Sequence, residues 1–222
     1  MCGRFTLMSN KETIKKRFNI INEFEMLKPQ YNIAPTENVL AVIYNGPNKH
    51  AGYLKWGLIP SWSKDSKANF NLINARSETA HELPSFRTLM DRKRCLIIAD
   101  SFYEWRKNSQ DKQPERIQVK NRHLFAFAGL FDTWRQGDEV IHSCTLLTKE
   151  SDTFMEQIHP RMPIILPPDY EDEWINSSLR NKNEAAKFLH NIPSENLTSY
   201  TVSNYVNNVN NKDYKCIEAV DK

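Results

Sequence analysis

This chain of 222 residues has little cysteine, little net charge and no long apolar run. Its four cysteines, at positions 2, 95, 144 and 216, include no CxxC pair and are too sparse for a disulfide framework. A structural zinc site and a stapled secreted scaffold are therefore not expected, and Cys95 and Cys144, set in apolar stretches, read as buried thiols. The formal net charge of +3 does not by itself point to a nucleic-acid partner, so local clusters must be weighed instead. No apolar run approaches the roughly 18 residues needed to span a bilayer. Near the start, Asn10, Lys11, Glu12, Lys15, Lys16 and Arg17 interrupt any signal-like stretch. The expectation is a cytosolic protein with no membrane partner, no metal and no cofactor. No internal repeat is visible.

What is present reads as a single α+β domain over 1–222, mostly antiparallel. Ser9 and Glu12 form a capping-box pattern and Ile14 with Phe18 an apolar edge, predicting a helix over 10–18. Residues 38–44 read as a strand, Asn45-Gly46 as a hairpin turn, and 50–57 as the returning strand. A polar loop is expected over 61–72, then a helical stretch that Ser77 to Ala80 start and Pro84 interrupts, and a second helix over about 85–93. Strand candidates then crowd together at 94–99, 102–106, 115–120, 124–131 and 141–147, which implies a sheet bent into a barrel or folded sandwich rather than alternating βαβ units. A short helix over 152–158, a strand over 161–166, helices over 169–176 and 183–190, and a last strand near 198–202 complete the reading. The Asn-rich residues 204–211 suggest a surface turn.

The chemistry starts at the beginning of the chain. If Met1 is removed, Cys2 becomes a 1,2-aminothiol, whose amine attacks an aldehyde to give an imine and whose sulfur then closes a thiazolidine ring. An α-amino group titrates near 7.7–8.0 against about 10.4 for lysine, so its free-base fraction at neutral pH is larger by about a few hundredfold. The plainer reading of Cys2 is a small buried hydrophobe. Asn74 and Arg76 lie where an apolar segment enters a helix. Glu104 sits between aromatics and is either a solvent-facing strand residue or a partly buried acid with a raised pKa. His159, pinned before Pro160 and close to Pro163, suits proton transfer near neutrality or a structural role. The aromatics beside Gly and Pro in 31–36 and 56–62 are core or base-stacking surfaces, and composition does not decide between them.

Seven segments together resemble the SOS response-associated peptidase (SRAP) family. They are Met1-Cys2-Gly3-Arg4-Phe5, Tyr31 to Thr36, Trp56 to Trp62, Ile73 to Thr79, Arg94 to Trp105, Phe125 to Leu130 and His159 to Pro163, in the family's order from the first residue to about 166. The remaining C-terminal quarter carries no motif of its own. The resemblance implies a barrel-like SRAP fold and a monomer that removes Met1 by self-cleavage. Such a protein traps abasic sites in single-stranded DNA as a thiazolidine crosslink through Cys2, with crosslink reversal or lyase chemistry in addition, and associates with the bacterial nucleoid when DNA is damaged. Carried over residue by residue, Cys2 is the nucleophile, Asn74 positions the N-terminus and sugar, Glu104 moves protons, and His159 assists ring opening and reversal. Arg4, Arg76 and Arg161 would hold phosphates, Trp105 and Thr148 line the site, and Asn32, Pro35 and Trp62 shape the path of displaced bases. Pro160 departs from the acidic or polar residue that many members carry after the histidine.

Two other readings remain open at this level. A cysteine peptidase would use Cys2, His159 and Asn74 or Glu104 without needing the α-amine. A non-catalytic single-strand-binding module would not need the thiol.

Overall fold

The computed structural model describes residues 2–25, 28–66, 72–106, 113–176, 179 and 181–220. In chain order the first elements are β1 (Arg4–Leu7), α1 (Lys11–Phe18), β2 (Gln30–Ile33), β3 (Asn38–Asn45), β4 (Asn48–Trp56) and β5 (Asn74–Arg76). There follow α2 (Ser77–Ala80), α3 (Arg87–Arg92), β6 (Arg94–Ala99), β7 (Ser101–Trp105), β8 (Pro114–Val119), β9 (Phe125–Gln136) and β10 (Glu139–Glu150). The chain ends through α4 (Thr153–Glu156), β11 (Arg161–Pro163), β12 (Ile165–Leu166), α5 (Pro168–Ile175), α6 (Lys182–Asn191) and β13 (Leu197–Thr201), then 3₁₀ turns at Asn204–Asn207 and Tyr214–Ile217.

Five strands close on themselves. β4 pairs with β3, β3 with β6, β6 with β9 and β9 with β10, all antiparallel, and β10 returns to β4 in parallel through Ser143↔Lys55 and Cys144↔Trp56. Closure removes the exposed edges that an open sheet would present. Every residue of β6 is buried, because one of its faces fills the barrel and the other is covered from outside. Beside the barrel lies an antiparallel sheet in the order β13-β8-β7-β1-β2. Among the described residues no helix is long and apolar enough to cross a membrane.

One bend joins the two layers. The chain leaves the barrel at Ala99 and enters the second sheet at Ser101, and Asp100 between them accepts hydrogen bonds from Thr6 Oγ1, Met8 N (2.5 Å) and Ser9 N (3.3 Å). Burial raises the Asp100 carboxyl above its ordinary range, although these donors and the nearby Arg116 oppose the shift. The apolar side of the same junction is Phe5, whose ring lies 5.1 Å from Trp56 and 5.7 Å from Phe127.

The α+β, barrel-centred expectation matches this architecture, and several local readings are corrected. The first helix is capped by Asn10, whose side chain accepts from Thr13 N, rather than by a Ser9–Glu12 box; Ser9 N is already committed to Asp100. The hairpin loop is Gly46-Pro47, because Asn45 still pairs with Asn48 and Gly46 takes the positive φ of +63°. The strand expected over 161–166 splits, β11 joining β10 and β12 joining β9. Residues 67–71 of the expected 61–72 loop lie outside the described residues.

Gly129 marks the tightest point of the barrel wall. A Cβ there would lie 2.7 Å from Ile97 Cδ1 and 2.9 Å from Cys95 Sγ, and Gly129 is paired on both sides, with Cys95 and Leu146. Gly129→Ala is expected to lower stability by about 1–3 kcal/mol through overpacking. Urea unfolding measures this, and an unchanged midpoint would mean that the wall yields.

Candidate active site

Cys2 is placed by the strand that follows it. β1 pairs with β7 through Arg4↔Tyr103 and Phe5↔Phe102, and this antiparallel run carries Glu104 toward the residues preceding Arg4. Cys2 is fully buried and Glu104 only 2% exposed, so the strand-alternation reading that put Glu104 in solvent does not hold. The Cys2 Sγ donates to Arg4 O at 3.7 Å. Burial first, and the Glu104 charge second, push the Cys2 thiol well above its ordinary pKa. In this state the sulfur is held as a thiol beside Glu104.

Asn74 arrives on β5, which runs parallel to β10 through Leu146↔Asn74, Leu147↔Ala75 and Thr148↔Arg76. Its Nδ2 donates to Cys2 O at 2.9 Å, fixing the backbone at the start of the chain. Its Oδ1 is buried with no hydrogen-bond partner among the described residues. A buried amide oxygen left without a donor costs on the order of 1–3 kcal/mol, and such exceptions call for an explanation.

The same end of β10 carries β11 through Thr148↔Pro163 and Glu150↔Arg161. Arg161 donates to both oxygens of Glu78, at 2.7 and 2.9 Å, and to Thr148 O and Oγ1, at 2.9 and 3.1 Å. Burial raises the Glu78 pKa, but the Arg161 fork outweighs it and holds the carboxyl below its ordinary range. His159 stands just before β11, with Nδ1 3.0 Å from both the N–H and the carbonyl of Arg161. The neutral ring can accept from the N–H and the protonated ring can donate to the carbonyl, so either charge state has a backbone partner. The partner that Pro160 cannot supply comes from Arg161. Arg76, by contrast, has an exposed side chain.

A third group surrounds Arg4. Its guanidinium donates to Asn32 Oδ1 (2.8 Å), Val206 O (2.8 Å) and Asn207 O (3.2 Å), and lies 5.9 Å from the Trp105 ring centroid. Fully buried Asn32 donates to the carbonyls of Val206, Asn208 and Asn211, and Trp105 Nε1 donates to Asn207 Oδ1 at 2.7 Å. These partners belong to the segment read from sequence as a surface turn. It is exposed on one side, but its backbone carbonyls organise Arg4 and Asn32 while the Asn207 side chain holds Trp105, and backbone carbonyls leave no trace in residue type. A cavity of about 530 Å³ is lined by Gly3, the residue after Cys2, with Arg4, Ala34, Pro35, Thr36, Glu37, Trp105 and Val209. Thr36 holds a φ of +77°, costly for a β-branched residue, and its N–H donates to Trp56 O at 2.7 Å. Trp62 is 66% exposed and is anchored through its neighbours to β9, Ser61 N donating to Asp132 and Trp134 Nε1 to Ser63 O.

Glu78 was missed as a site residue, though it lies inside the Ile73–Thr79 motif. Among the described residues no group of three His, Cys, Asp or Glu could hold a metal ion. Cys95, Cys144 and Cys216 are buried free thiols. In protein that retains Met1, iodoacetamide at pH 7.5 is expected to label Cys2 at least about tenfold more slowly than in the urea-unfolded chain. Peptide mass mapping reads this, and rapid labelling of the folded chain would contradict the buried, protonated thiol.

Comparison with known proteins places this geometry in context. Residues 1–209 match the family model of the SOS response associated peptidase (SRAP). The abasic site processing protein YoaM of Bacillus subtilis is 43% identical over 224 residues, covering 99% of this chain and 98% of that protein. The abasic site processing protein HMCES of Xenopus tropicalis is 32% identical, covering 87% of this chain and 67% of that protein. A crystal structure of a protein from Bacteroides thetaiotaomicron superposes with a TM-score of 0.87 at 25% identity, covering 99% of this chain and all of that one. With the family model spanning the barrel, the second sheet and the Cys2, Asn74, Glu104 and His159 positions, the chain belongs to the SRAP family.

Proposed function

We propose that this protein processes abasic sites in DNA, trapping the ring-opened sugar in single-stranded DNA as a thiazolidine on Cys2 after hydrolysis of the Met1–Cys2 bond. The observation that carries the reading is the buried Asn74 amide. Its Nδ2 holds Cys2 O while its Oδ1 has no partner among the described residues, which suits an incoming donor such as the freed α-amine or a deoxyribose hydroxyl. The names of relatives that align along nearly the whole chain support the substrate class.

The chemistry balances without a redox partner. One water cleaves the leader bond. The α-amine then adds to the aldehyde carbon, and the carbinolamine loses one water to give the imine. Sulfur adds to the imine carbon as the thiol proton passes to nitrogen, closing the five-membered ring. Glu104 is the group suited to relay that proton, since its carboxylate acts on a thiol that burial keeps protonated. His159 can take or return a proton with little rearrangement, because Arg161 offers it both an N–H and a carbonyl. The exposed Arg76 is the cation best placed to meet a phosphate. Arg161 would do so in exchange with Glu78, and Arg4 through N–H groups beyond those that hold its carbonyl partners. Trp62, exposed and aromatic, suits a displaced base. No step needs a cofactor or a metal, and one copy of the chain supplies all of these groups.

Protein beginning at Cys2 is expected to form a heat-stable adduct with a single-stranded oligonucleotide containing an abasic site, and none with the intact oligonucleotide. Denaturing gel mobility reports it. Absence of the adduct after mass spectrometry has confirmed loss of Met1, or its persistence after the amine is blocked, would overturn the reading. Glu104→Ala should slow adduct formation by about 10²-fold or more, and His159→Ala should mainly slow release. Unaltered rates in both variants would remove those two roles. A peptidase working through the thiol alone would survive amine blocking, so the same experiment separates the two readings.

A further inference from the structure

The C-terminal segment 203–217 is docked too thoroughly to be an appendix. Asn32 alone donates to three of its carbonyls and Arg4 to two, while Lys212 Nζ reaches back to Asn32 O (2.6 Å) and the Glu37 carboxylate. Val206 and Cys216 are buried in a small second core with Tyr103 and Val202. Tyr103 OH donates to Tyr31 O at 2.7 Å and lies 3.3 Å from Cys216 O, closing the segment onto β2 and β7. Held in this way, the segment turns one apolar side chain, Val209, into the wall of the cavity that Gly3 and Arg4 also line, while leaving it 43% exposed.

From this placement we propose that Val209 is a binding and specificity residue, forming with Pro35 and Trp105 the seat for the nucleobase of a nucleotide adjacent to the lesion. The inference rests on the functional reading above and adds a residue to it. Three observations fit a base more closely than a phosphate or a sugar alone. The cavity, at about 530 Å³, is of ligand size, and Ala34, Pro35 and Val209 give it apolar walls. Trp105 offers an aromatic surface whose orientation is set by its bond to Asn207, from the same segment that presents Val209. The cation at its edge, Arg4, already donates to carbonyls of that segment and is thereby held as part of the frame. Gly3 lines the cavity, so a base seated there belongs to a nucleotide next to the one captured by Cys2.

The test compares Val209→Ser and Val209→Ile with the parent chain, all starting at Cys2. Trapping rates are measured against oligonucleotide concentration on two single strands. In one the abasic site is flanked by nucleotides, and in the other by tetrahydrofuran spacers, which lack both base and aldehyde. On the nucleotide-flanked strand, Val209→Ser is expected to raise the half-saturating concentration about fivefold with the maximal rate held within about twofold, and Val209→Ile to restore it. On the spacer-flanked strand the three proteins should match. Equal half-saturation of all three on the nucleotide-flanked strand would overturn the proposal. So would an equal loss for Val209→Ser on both strands, since a base contact cannot act where there is no base. Failure of the parent chain to form any adduct would count against the functional reading and not against the seat. Because Val209 is partly exposed, its change to serine is expected to leave the thermal melting temperature of the chain unchanged, and the isoleucine variant guards against a purely local rearrangement.

Discussion

A four-residue strand holds this site together. β1 is clamped between β2 and β7, and Phe5 in its middle packs on Trp56 and Phe127 of the barrel. Burying one such ring is worth about 1.5–3 kcal/mol. Its value here lies in position, because Phe5 is three residues from Cys2. A chain terminus is usually frayed unless it is tied down. Here the tie is complete: ladder hydrogen bonds on both sides, an aromatic anchor beneath, and the Asn74 amide on the Cys2 carbonyl.

Around this fixed start, charge is handled by pairing. Of the three arginines near the site, Arg161 is neutralised by a fork to Glu78 and Arg4 is held by three carbonyl oxygens, leaving Arg76 exposed. Arginine in such arrangements serves as a rigid multi-donor frame as much as a charge. Arg161 joins Thr148, Glu78 and, through its backbone, His159 into one unit at the end of β10. A change in Glu78 would therefore be felt at the histidine without touching it. Such coupling through shared partners makes single substitutions here non-additive.

Much of the architecture was legible because it follows from local rules. Crowded apolar segments with short connections implied a barrel or folded sandwich; β6, β9 and β10 lie in the closed barrel and β7 and β8 in the sheet beside it. Errors fell where a local signal had a competitor. Ser9 and Glu12 have the right spacing for a cap, but Asp100, distant in sequence, takes Ser9 N, and Asn10 does the capping one residue later. Gly46 rather than Asn45 opens the turn because strand pairing extends one residue further than the turn dipeptide suggested. In the site, residue types and motifs marked Cys2, Asn74, Glu104 and His159, but nothing in them marked Glu78 as the partner of Arg161.

By itself, then, the amino-acid sequence determined the family, the barrel-centred α+β architecture and the candidate site side chains, because these depend on residue type and on patterns a few residues long. Tertiary structure alone decided that Glu104 is buried beside the thiol, that β10 carries both β5 and β11, and that Val209 lines the cavity. The physical reason is that most of these features are made by contacts across about 70 to 200 positions of chain, many of them through backbone carbonyls that every residue possesses. Only the closed barrel and the sheet beside it bring those groups within hydrogen-bonding distance.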